Sequence, residues 1–248
     1  MKPTDFSRSL TNFLSKYLPG ERGMSTHTIS SYKFTFMLFI SFMEQQKRLY
    51  VSKIELKDIT KESVVEFLGW LQSERKCSDA TRNVRLAGIH SFFRFLQYQH
   101  PENISEWQRI LSIKQKRIKT EAINYLTIDG IKLLLEQPDT STHKGRRDLA
   151  MLALMYDCAA RVQEISDLNP SSIRLNKPYT IKIIGKGNKA RIVPLMEEEI
   201  AHIKRYMTEN NLLEAHLRMN PLFYNSRKEQ LTRAGINSIL KKYGSIVY

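Results

Sequence analysis

Apolar residues in the first hundred positions recur at three- and four-residue steps. In STHTISSYKFTFMLFISFMEQQ, the residues Ile29, Tyr32, Phe36, Phe39, Ile40 and Met43 form one stripe. That spacing predicts an amphipathic helix, with Ser25 and Thr26 as candidate caps. DITKESVVEFLGWLQSER offers Asp58 and Thr60 as caps and puts Val64, Phe67, Leu68 and Leu71 on one face. SDATRNVRLAGIHSFFRFLQYQ repeats the step with Leu86, Ile89, Phe93 and Leu96, and carries Arg82, Arg85 and Arg94 off that face. Together these segments predict a bundle of about four helices.

The periodicity stops at SIKQKRIKTEAINYLT. Lys114, Lys116, Arg117 and Lys119 crowd together there without a pattern, which predicts a linker over 113–122 between a first domain of 1–112 and a second of 123–248. Such a segment is either a solvated connector or a strap along a polyanion backbone. In the second domain, LTIDGIKLLLEQ reads as a short helix capped by Thr127. GRRDLAMLALMYDCAARVQEISDL reads as a longer one, apolar through Leu149, Leu152, Ala153 and Tyr156. YTIKIIGKG then alternates Tyr179, Ile181 and Ile183 with Thr180, Lys182 and Ile184, as a strand does. ARIVPL supplies a return strand, and Gly187-Asn188 is a suitable turn pair. Pro194 suits an edge or a strand end. MEEEIAHIKRYMTEN and TRAGINSILKKY return to helical spacing. The expected fold class is mainly α with one small β-hairpin in the second domain.

Charge narrows the function. The 248 residues hold 39 Lys+Arg against 25 Asp+Glu, a formal net charge of +14. A surplus of this size points first to nucleic acid and second to an anionic membrane surface. Residues 1–119 hold 20 basic and 11 acidic side chains, and 120–248 hold 19 and 14, so no single basic tail accounts for it. Apolar runs such as FMLFI are too short to span a bilayer, and MKPTDFSRSL lacks a signal-peptide core. Cys77 and Cys158 make neither a zinc motif nor a disulfide framework, so no metal is expected and a reducing cytosol is. No aromatic RNA-binding strand motif is present.

Two cations stand out. Arg161 follows the small apolar run Cys158-Ala159-Ala160 at a junction of helices, with Glu164 three residues on. It forms an internal salt bridge or a rigid fork that grips a phosphate in bidentate fashion. Lys186 lies between two glycines in GKGNKARIVPL. It is a basic hairpin tip or an ammonium offered to a phosphate. His143–Arg146 and His202–Arg205 are H-x-x-R strings that read as ordinary surface residues.

AARVQEI and GKGNKARIVPL, in this order behind a helical bundle, resemble the tyrosine recombinase family of phage integrases and Xer recombinases. Ala159 stands where the family's G-L-R run has glycine. STHTISSYKFTFMLFISFM and TRNVRLAGIHSFFRFL resemble helices of the family's SAM-like core-binding domain. PLFYNSRKEQLTRAGINSILKKY resembles the approach to its third motif. The resemblance implies a four-helix core-binding bundle, a partial catalytic domain with a small β-sheet, and covalent phosphotyrosyl chemistry on double-stranded DNA without a cofactor. Arg161 would stabilise the phosphoryl oxygens, Lys186 would be the general acid and Glu164 would orient Arg161. Arg82, Arg85, Arg94, Lys114, Lys116, Arg117, Lys189 and Arg191 are candidate DNA contacts.

The family's H-x-x-R box and nucleophilic tyrosine have no counterpart after LKKYGSIVY. The expectation is therefore a C-terminally truncated recombinase that does not cleave DNA alone. The alternative is a DNA-binding remnant that competes with a full-length relative. Tyr243 and Tyr248 are discounted as nucleophiles. Full-length relatives are expected to act as a tetramer on synapsed DNA of a mobile element or chromosome, in the bacterial cytoplasm at the nucleoid and away from membranes.

Overall fold

The computed structural model describes residues 2–118 and 125–247. The chain divides into two compact units, Met1–Ala122 and Ile123–Tyr248. The fold is mainly α, as the spacing predicts.

In the first unit, α1 spans Asp5–Asn12 and continues as a wider π-helical stretch, Phe13–Glu21. α2 spans Thr26–Lys47, α3 Lys61–Ser73, α4 Asp79–Gln99 and α5 Ile104–Leu111. Ser25, Thr60 and Ser78 cap α2, α3 and α4 by accepting a backbone N–H into the side-chain oxygen. α1 and α5 add to the predicted bundle. Phe6, Phe13 and Leu18 are fully buried, and with Leu10 and Tyr17 they keep helical spacing up to Pro19. The core is rich in aromatic rings: Phe13, Phe36, Phe92 and Phe95 meet edge-on, tilted or stacked at centroid separations of 5.0–6.3 Å, within the favourable range for such rings.

Residues 113–116 of the expected linker are packed on this bundle. Ile113 is buried. The Asn83 side chain accepts from Lys116 N at 3.0 Å and donates to Lys116 O at 2.8 Å. Lys116 Nζ reaches Gln72 Oε1 at 2.8 Å and Asp79 Oδ1 at 3.3 Å. Lys119 and the rest of the linker through 122 lie outside the described residues.

In the second unit, α6 spans Ile128–Glu136 with Thr127 as its cap. α7 spans His143–Asp157 and α8 Val162–Ser166. A three-stranded antiparallel sheet follows in the order β1 (Ile173–Arg174), β2 (Thr180–Ile184), β3 (Ala190–Pro194). Ile181 and Ile183 face the core, and Pro194 closes the edge strand opposite Thr180. α9 spans Glu197–Glu209 and packs along α7; α10 spans Arg233–Val247 and packs against α6 and α8. The buried face of α7 is Ala150, Met151, Leu152 and Leu154. Of the expected stripe, Leu149 and Ala153 are half-buried and Tyr156 is exposed, because α9 covers a neighbouring side of the helix.

Candidate functional site

The site begins where α7 ends. Ala160 N donates to Met155 O at 3.2 Å and Ala159 N to Tyr156 O at 3.3 Å. This pair of bonds closes a helix in the Schellman arrangement, which places its next residue in the left-handed region. That residue is Ala159, at φ +46°. The chain then turns through extended Arg161 into α8. The departure from glycine seen in the sequence therefore falls where glycine matters most.

Glu164 is the centre of the site. It sits at the third position of α8 and its Oε2 accepts the Arg161 amide at 3.0 Å, while Oε1 accepts from Arg161 Nη1 at 3.0 Å. Arg191, on β3, binds the same carboxylate from the other side, with Nη2 to Oε2 at 2.7 Å and Nη1 to Oε1 at 3.2 Å. The Arg191 guanidinium, followed by the Arg161 bonds, holds the buried Glu164 carboxyl at about 2 despite its burial. Glu164 is thus ionised at any physiological pH. Arg161 remains largely exposed, its side chain 74% accessible, so its other N–H groups point to solvent.

The hairpin meets the same carboxylate. A Cβ on Gly185 would lie 2.9 Å from Glu164 Oε1, so only glycine lets the backbone pass there. Gly185 N donates to Lys189 O at 2.8 Å, and Gly187 and Asn188 both take left-handed conformations, φ +77° and +58°. Lys186 opens this loop and is exposed, as is Lys189. Glu164 therefore joins Arg161 to the strand pair that carries Lys186.

The other expected contacts divide. Lys114, Arg117 and Arg94 are exposed. Arg82 is buried, and its Nη1 faces Asn83 Oδ1 at 3.5 Å. Arg85 is half-buried, donating from Nη1 to Ser31 O at 3.1 Å and to Thr35 Oγ1 at 3.4 Å, with its guanidinium 4.8 Å from the Phe34 ring centroid. Both guanidinium groups are drawn toward the bundle, because α4 is flanked by α2, α3 and α5. Arg191 is a partner of Glu164. A signal for it existed: strand alternation puts Arg191 on the inner face opposite buried Ile183, where an arginine needs a counter-ion.

Tyr243 is buried, and its hydroxyl donates to Asp148 Oδ2 at 3.0 Å. It ties α10 to α7 and offers no free nucleophile. Tyr248 lies outside the described residues. His143 and Arg146 both pair with Glu209, in keeping with a surface network. Among the described residues, no group of His, Cys, Asp and Glu is arranged to hold a metal ion, and no helix is long and apolar enough to cross a membrane.

The site is thus a surface arginine braced by a buried carboxylate, on which the glycine-flanked lysine loop also borders. Residues 10–100 match the N-terminal SAM-like domain of phage integrases and residues 124–246 match the phage integrase family. An integrase/recombinase of Sinorhizobium fredii is 33% identical over 237 residues, covering 96% of this chain and 70% of that protein. The tyrosine recombinase XerD of Listeria monocytogenes is 30% identical over 227 residues, covering 91% and 73%. The solved pre-cleavage complex of the recombinase XerH with its difH substrate shares the fold, with a TM-score of 0.66 at 22% identity, covering 94% of this chain and 66% of that one. The chain belongs to the phage integrase family of tyrosine recombinases.

Proposed function

We propose that this protein serves site-specific DNA recombination, binding duplex DNA and presenting Arg161 and Lys186 to a scissile phosphodiester. The observation that carries this reading is the shared carboxylate of Glu164, which fixes Arg161 beside the hairpin that bears Lys186. Charge develops on the phosphoryl oxygens in the transition state, and a guanidinium fixed in advance stabilises it without reorganising. The departing sugar oxygen needs a proton, and the ammonium of Lys186 supplies it. Lys114, Arg117, Arg94 and Lys189 serve as phosphate contacts that position the duplex. The substrate is DNA of a mobile element or chromosome in the bacterial cytoplasm, at the nucleoid, and the working assembly is a tetramer on synapsed sites.

A second reading, DNA binding without cleavage, is favoured by Tyr243, whose hydroxyl is committed to Asp148. A nicked suicide duplex separates the two. A protein–DNA adduct that survives denaturant, and is lost in Arg161→Ala and Lys186→Ala, establishes cleavage. Salt-dependent binding without an adduct establishes the second reading. Neither binding nor an adduct overturns both.

A further inference from the structure

A groove of about 420 Å³ lies between α6, α7 and the start of α9. Its volume falls within the range of small-molecule sites, roughly 300–1,000 Å³. Leu135, Leu149, Tyr156 and Met196 form its apolar walls. Glu199 lines it while only 5% exposed. Its Oε1 is buried and has no hydrogen-bond partner among the described residues.

A buried carboxylate oxygen without a donor is costly, so its persistence calls for an explanation. Helix capping does not provide one. Glu199 is the third residue of α9, where a glutamate ordinarily turns back to the amide of the cap residue. That amide, Met196 N, instead faces Asp157 Oδ2 at 3.5 Å. The surroundings add negative charge. Glu136 from α6, Asp157 at the end of α7 and Glu198 from α9 line the same groove. Among the described residues, the one cation lining it is Lys132, which also faces Asp129 at 3.9 Å, and His202 lies beside it. Burial, with Asp157 and Glu199 as lesser causes, pushes the Cys158 thiol up to about 12. An acidic, apolar groove in a chain of net charge +14 does not fit a phosphate backbone. It fits the opposite ligand.

We propose that this groove is a second binding site, separate from the Glu164 site, for a small ligand with one cationic group on an apolar stem, and that Glu199 is its counter-ion. The stem takes the wall of Leu149, Tyr156 and Met196. The ammonium or amidinium group pairs with the Glu199 carboxylate.

The proton balance follows from the burial. Burial, with Asp157 as the second cause, pushes the Glu199 carboxyl up to about 8, so it is largely protonated at neutral pH. Binding a cation expels that proton to solvent and leaves an ion pair. Affinity therefore rises with pH until about 8, by up to about tenfold per pH unit, and binding at pH 7 releases close to one proton.

The test is calorimetric titration of the whole chain with 4-phenylbutylamine at pH 6, 7 and 8, in buffers of different ionisation enthalpy, beside its neutral counterpart 4-phenylbutan-1-ol. The expected result is saturable binding of the amine below about 1 mM at pH 8, at least tenfold tighter than the alcohol, with proton release. Glu199→Gln, with its fold checked by circular dichroism, is expected to bind the amine at least tenfold more weakly and without pH dependence. Ala153→Phe, which fills the groove and leaves Glu199 in place, is expected to abolish binding. Equal affinity for amine and alcohol, unchanged binding by either variant, or no saturable binding by the wild-type chain overturns the proposal.

Discussion

Ala159 closes a helix in a conformation that costs an L-residue with a Cβ roughly 1–2 kcal/mol. Glycine there relieves the strain and loses some of the gain to unfolded-state entropy. Ala159→Gly should therefore stabilise the protein by about 0.5–1 kcal/mol, seen as a rise of about 1–4 °C in the thermal midpoint of the second unit. Glu164 makes a second prediction at this scale. Its folded carboxyl titrates at about 2 against an ordinary 4.5. A depressed value contributes stability that is fully present above about 4.5 and is lost as pH falls toward about 2. The loss is on the order of 3 kcal/mol, and urea melts between pH 5 and 2 should show it. Glu164→Gln should remove that slope and leave Arg161 and Arg191 without their shared anion. The Arg161–Glu164 pair was legible in the sequence because its spacing is local, three residues along one helix start. Arg191 was not, because its partner is fixed by strand register, which no local spacing reports.

At the scale of elements, the hairpin depends on Gly185. A methyl group there must displace the Glu164 carboxylate or the strand, at about 1–3 kcal/mol. Gly185→Ala should lower the unfolding midpoint and weaken DNA cleavage or binding, while Gly187→Ala should act mainly through its positive φ. Tyr243→Phe leaves buried Asp148 Oδ2 without its donor and should destabilise the second unit by about 1–3 kcal/mol. A denaturation curve that resolves the two units checks both. Helices α2, α3, α4 and α10 and the hairpin were readable from period and caps. The first helix keeps the same period through Phe6, Leu10, Phe13 and Tyr17, whereas the seating of residues 113–116 was not readable, since it depends on Asn83 reaching 33 positions along the chain. A helix with neighbours on three sides has little open face, and two cations of α4 are drawn toward packing.

For the whole molecule, a net charge of +14 predicts that binding to duplex DNA falls steeply with salt. The logarithm of affinity should drop by about 0.9 per phosphate contacted for each tenfold rise in salt. Lys186→Ala should change that slope by at most about one contact and leave binding nearly intact, while removing any cleavage. Fluorescence anisotropy at several salt concentrations measures the first and a denaturing gel the second. The bond set around Glu164 bears on how such a complex forms. With one anion shared between two guanidinium groups, Arg161 has its aim before any nucleic acid arrives. The ordering of that side chain is completed when the chain folds and need not be repeated at each encounter, so under the proposed function the guanidinium is set before a phosphodiester reaches it.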